Sequence, residues 1–102
     1  MIHVLHMLDK PGSEPLRAEM RAAHKACLAG VANRIAFAGP LLADDGTRMV
    51  GSLLAIDFDS ADAARAWLRT EPFTEAGLYA QALVHPFLNL WPQKTGLPPQ
   101  PE

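Results

Sequence analysis

A chain of 102 residues with a formal charge of −2 has room for one domain and one hydrophobic core. Its 49% apolar and 20% charged composition excludes a disordered or fibrous chain, and the lack of a basic excess or of any Lys/Arg cluster argues against nucleic acid as a partner. Apolar runs such as Val50 to Ile56 fall far short of the roughly 20 residues of a membrane helix. The run Ile2 to Leu8 lacks a basic lead-in and stops at Asp9-Lys10-Pro11, unlike a signal peptide. A lone cysteine, Cys27, makes no internal disulfide, and together these features favour a cytoplasmic protein without a membrane partner.

In chain order, Ile2 to Leu8 reads as a first strand, closed by the breaker cluster Asp9-Lys10-Pro11-Gly12. Ser13 is positioned to cap a helix, with Glu14 and Pro15 in its first turn. Leu16, Met20, Ala23, Cys27 and Val31 then recur at three- and four-residue intervals, which predicts one apolar stripe resting on a sheet. Arg34 to Ala38 reads as a second strand ended by Gly39-Pro40, since proline removes a backbone donor. Asp44-Asp45-Gly46 marks a turn, and Val50 to Phe58 a third strand so continuously apolar that it predicts burial on both faces. Ser60 caps a second helix carrying Ala63, Ala64, Trp67 and Leu68; Pro72 and Gly77 bracket a short turn of helix or loop. Tyr79 to Trp91 holds a fourth strand in which Pro86 belongs at an edge or bulge, and the Pro-rich tail from Gln93, with Pro98, Pro99 and Pro101, reads as frayed.

The order βαββαβ is that of the ferredoxin-like α+β plait, a four-stranded antiparallel sheet with two helices on one face. Two helices cover one face only, yet Val50, Leu53, Leu54, Ala55 and Ile56 put apolar groups on both, so a homodimer joined through the other face is expected. Residues 1–92 form a single domain in this reading and 93–102 a tail.

His24 is the first candidate for chemistry. It lies at the border of the helix stripe, beside Leu28, where an imidazole can reach a pocket between helix and sheet and transfer a proton near neutral pH. The plainer alternative is a helix histidine bonded to a neighbour. Glu71 is the second, because Pro72 stiffens the backbone that carries it and a carboxylate held there can orient an imidazole. Its plainer alternative is a solvated loop acid. His3 and His6 stand three apart in a strand and so point to opposite faces; neither they nor His85 match a zinc-ligand spacing, and no metal site is expected. His6 remains a candidate to face a pocket. Cys27 reads as a small apolar group, Ser52 lacks a nucleophile elbow, and no GxGxxG or phosphate-loop pattern calls for a cofactor. Arg17 and Arg21 share a helix face that either draws an anionic substrate or is simply solvated.

Four stretches in consistent order resemble the YciI-like (YCII-related) family: Arg21-Ala22-Ala23-His24, Ala38-Gly39-Pro40, Gly51-Ser52, and Glu71-Pro72-Phe73 followed by Ala76-Gly77-Leu78-Tyr79, with Pro86-Phe87 closing the match. The resemblance implies a ferredoxin-like fold that dimerises face to face, and a site built from a histidine and an aspartate. The histidine carries onto His24. The aspartate position holds Glu71, one methylene longer, so its carboxylate must sit differently to meet the same imidazole. Activity in the family includes chloride removal from chlorinated hydroxyhydroquinones, which implies, by analogy, acid–base chemistry on a small ring.

The expectation is a cofactor-independent enzyme that isomerises, or eliminates from, a small aromatic-derived metabolite. His24 moves the proton, Glu71 orients it, and Arg21, His6 and Ser52 are candidates to hold the substrate. The alternative is a non-catalytic module that binds a small ligand or dimerises.

Overall fold

Alternating burial defines the first strand of the computed structural model, which describes residues 1–99. In β1 (Ile2–Asp9), His3, Leu5 and Met7 are buried on one side, while Val4 and His6 are half-buried and Leu8 is exposed on the other. After α1 (Glu14–Ala29) and a single 3-10 turn at Ala32–Arg34, β2 (Ile35–Leu42) and β3 (Met49–Asp57) form a hairpin. Gly46 adopts the left-handed conformation in its turn (φ 74°), and Asp45 Oδ1 accepts from the backbone N–H groups of Thr47 and Arg48 at 2.9 and 3.0 Å. α2 (Ala61–Thr70) and the single turn α3 (Pro72–Glu75) lead into β4 (Tyr79–Pro86).

The strands lie in the order β2-β3-β1-β4, every pair antiparallel, with the long apolar strands β1 and β3 at the centre. This is the expected α+β plait, with α3 as an added turn. Leu5, Met7, Leu54, Ile56 and Phe58 pack against Ala64 and Leu68 of α2 to make the core. Leu54 and Ile56 are enclosed there, and truncating either to alanine removes contacts worth about 2–5 kcal/mol.

Three local expectations need correction. β2 does not stop at Gly39-Pro40 but runs through both to Leu42. It is an edge strand, so every second residue needs no ladder bond on its free side, and a proline nitrogen fits there. Ser13 does precede α1, but its side chain makes no capping hydrogen bond, whereas Ser60 accepts from Ala63 N–H at 3.0 Å. The face that α1 turns inward is also rotated from the expected stripe. Arg17 and His24 are its buried residues, Leu16, Met20 and Cys27 are half-buried, and Ala23 is exposed. The fourth strand is as expected an edge, ending at Pro86, and Trp91 beyond it is 94% exposed. Part of the expected tail, Pro101, lies outside the described residues.

No helix among the described residues is long and apolar enough to cross a membrane.

Candidate active site

His24 and Glu71, 47 positions apart, meet between α1 and the start of α3: the carboxylate Oε1 accepts a hydrogen bond from His24 Nδ1. Local sequence explains how the acid is aimed. α2 ends with Glu71 N–H bonded to the Leu68 carbonyl at 3.2 Å, and Pro72 then holds Glu71 in extended backbone (φ −69°, ψ 136°). From there its second oxygen, Oε2, caps α3 by accepting from Thr74 N–H at 3.3 Å. Glu71 is fully buried, so both oxygens are held by protein and not by water. The longer glutamate reaches the imidazole and caps the next helix with one side chain.

Phe73 fixes the plane of the ring. It stacks on His24 with centroids 4.0 Å apart and 16° between planes, and meets Tyr79 edge to face at 6.1 Å. Because Nδ1–H is directed at Glu71, the neutral imidazole keeps Nε2 as an acceptor, the nitrogen available to take a proton.

Two turns earlier on α1, Arg17 is buried and forms a second polar centre. Its Nε donates to Asp9 Oδ2 at 2.7 Å, and Nη2 donates to Asp9 Oδ1 and to Ser52 Oγ, each at 2.9 Å. The guanidinium also lies over Phe73, its carbon 4.7 Å from the ring centroid. Tyr79 donates to Ser52 Oγ at 3.3 Å, and burial pushes the Tyr79 phenol well above its ordinary range, so it stays a donor.

Of these groups, His24, Phe73, Arg17 and Ser52 line a pocket of about 180 Å³ between α1 and the β2–β3 edge of the sheet. Arg17, Arg21 and Lys25 supply its charge, Ser52 and His24 its neutral polar groups, and Leu28, Pro40, Met49, Leu54 and Phe73 most of its apolar wall. Of the expected site residues, His24, Glu71, Ser52 and Arg21 gather at or beside this pocket. His6 does not. It projects from the opposite face of the sheet, where its cross-strand neighbours are Leu53 and Leu83. His3 is buried in the core and bonds the Met1 carbonyl at 3.0 Å.

Arg17 corrects the picture of a solvated face, and Asp9, Lys25 and Tyr79 were not expected at the site at all. A signal for Arg17 existed, since seven residues separate it from His24 and two full helical turns put both on one side. Asp9 gave none, because its pairing with Arg17 depends on where the first strand ends. Among the described residues no three His, Cys, Asp or Glu side chains come together as a metal-ligand set.

Comparison with known proteins agrees with this architecture. Protein YciI of Escherichia coli is 34% identical over 98 residues, covering 89% of this chain and 100% of the relative. An uncharacterized protein of Haemophilus influenzae is 33% identical over the same shares. Among solved structures, the 5-chloro-2-hydroxyhydroquinone dehydrochlorinase TftG of Burkholderia phenoliruptrix, in complex with 2,5-dihydroxybenzoquinone, superposes with a TM-score of 0.80 at 33% identity, covering 86% of this chain and 94% of that one. The model of the YCII-related domain matches residues 1–88, and the chain belongs to that family.

Proposed function

We propose that this chain is an enzyme that moves a proton on a small, ring-shaped metabolite, in an isomerisation or a dehydrochlorination-type elimination, without a cofactor. The observation that carries this reading is the His24–Glu71 contact at the wall of a pocket sized for a small molecule. His24 Nε2 takes the proton, and Glu71 holds the ring in place and stabilises the imidazolium that forms. In an elimination the base removes the proton while chloride departs with its bonding pair. The imidazolium then returns its proton to solvent or to product. The chemistry of the TftG dehydrochlorinase, a member of the same fold at 33% identity, supports this reaction class.

The test is chloride release from 5-chloro-2-hydroxyhydroquinone, the substrate named for TftG, by the wild type and by His24→Gln. A proton-transfer role predicts a loss in kcat of about 100-fold or more. A His24→Gln variant that turns over at the wild-type rate defeats the assignment. A wild type that binds the compound and returns it unchanged after long incubation makes the chain a binding module.

We also propose that a second copy covers the open face of the sheet. The support is the row of apolar side chains there, including Val4, Phe37, Leu53 and Leu83, on a face that carries no helix.

A further inference from the structure

The hydrogen-bonding capacity left over in the pocket is almost all of one kind. Arg17 uses Nε and both protons of Nη2 on Asp9 and Ser52, which leaves the two N–H groups of Nη1 without a partner among the described residues. Only Thr74 Oγ1 is sealed from solvent without a partner among those residues, so Nη1 keeps access to open space, and Arg17 opens on the pocket. Ser52 Oγ accepts from both Arg17 and Tyr79, so what remains to it is its own O–H. Arg21 and Lys25, exposed at the rim, are donors and cations only. The nearby carboxylates are taken: Asp9 faces Arg17, and the Glu71 oxygens face His24 and Thr74. The one side-chain acceptor left among these polar groups is His24 Nε2.

We infer that Arg17 is the substrate's anchor, and that the substrate is an anionic single-ring compound whose acidic oxygen binds Arg17 Nη1 and the Ser52 hydroxyl. Arg17 and His24 rest against the same Phe73 ring, at 4.7 and 4.0 Å from its centroid, and both line the one pocket of about 180 Å³, a space that admits a single ring. Asp9 keeps the guanidinium in a fixed plane, and the partly dry wall strengthens a charge-assisted bond to an incoming anion. This assignment deepens the acid–base reading and rests on it for the ring at His24, but it is read by binding and not by turnover. Arg17 then decides which ring enters, while His24 decides what happens to it.

The probe is 2,5-dihydroxybenzoquinone, an anion at neutral pH, against its neutral dimethoxy analogue, both titrated calorimetrically into the wild-type protein. The anion should bind at least about tenfold tighter, as expected for one charge-assisted contact, and its affinity should fall with added salt. Arg17→Gln should erase that preference while circular dichroism shows an intact fold. Equal affinity of the wild type for the two quinones, no binding of the anion, or a folded Arg17→Gln variant with wild-type preference overturns the proposal. Should Arg17→Gln not fold, Arg17→Lys, which keeps the charge without the paired N–H groups, is titrated instead, and a wild-type preference in it overturns the proposal. Full turnover by His24→Gln alongside an intact anion preference defeats the acid–base reading and leaves the anchor standing.

Discussion

Cys27 reports on the buried acid beside it. Burial pushes its thiol above the usual range, and the charges of Glu71 and then Glu75 push in the same direction. A raised pKa means less thiolate at any given pH, so alkylation by iodoacetamide at pH 8 should be slower than that of a free cysteine. Glu71→Gln removes one negative charge and should speed the reaction. The gain should be partial, because burial is the larger cause and Gln leaves it in place. Mass spectrometry of the chain, which has a single cysteine, measures the rate directly. A rate unchanged by Glu71→Gln would mean that the carboxylate does not act on the thiol. This measurement needs no substrate, and it examines the acid of the proposed pair independently of catalysis.

Helix caps separate what local sequence decides from what it leaves open. Ser13 and Ser60 occupy the same position before a helix, yet only Ser60 bonds the third residue on, with its own backbone extended (φ −157°, ψ 165°). Ser60→Ala should cost about 1 kcal/mol in urea unfolding and Ser13→Ala no more than a few tenths. Comparable losses at both sites would contradict the geometry. The four strands, the two main helices and the Asp44-Asp45-Gly46 turn were legible, because periodicity and turn chemistry act over a few residues. The extent of β2 was not, because Pro40 is tolerated only where no further strand pairs, and sheet order is a property of the assembled fold. The rotation of α1 was hidden for a similar reason. An arginine reads as a surface residue until its partner, Asp9, arrives from the end of another element. The meeting of His24 with Glu71 was foreseeable through family resemblance, whereas the spacing of the two residues alone left solvated or structural roles open for each.

The molecule has a finished side and an unfinished one. Helices seal the core beneath β1 and β3, while on the reverse face Val4 lies beside Ala55, and His6 between Leu53 and Leu83. Fully burying a leucine, valine or phenylalanine is worth about 1.5–3 kcal/mol, and association costs about 4–15 kcal/mol in lost freedom. A few such side chains on one chain barely meet that cost. A two-fold contact sets the same apolar face on both subunits, so a second copy of the chain brings a matching apolar surface to meet that cost. Wild-type protein should therefore sediment as a dimer at micromolar concentration, with a Tm that rises as protein is added. Leu53→Glu places a charge in the middle of the face and away from the core, so it should give a folded monomer whose Tm no longer depends on concentration. A wild type that sediments as a monomer at micromolar concentration would sink the idea. The His24 pocket opens between α1 and the β2–β3 edge, on the helix side of the sheet. A Leu53→Glu monomer that still binds the quinone anion would place the whole recognition apparatus within one chain; one that does not would tie the pocket's shape to the partner across the sheet.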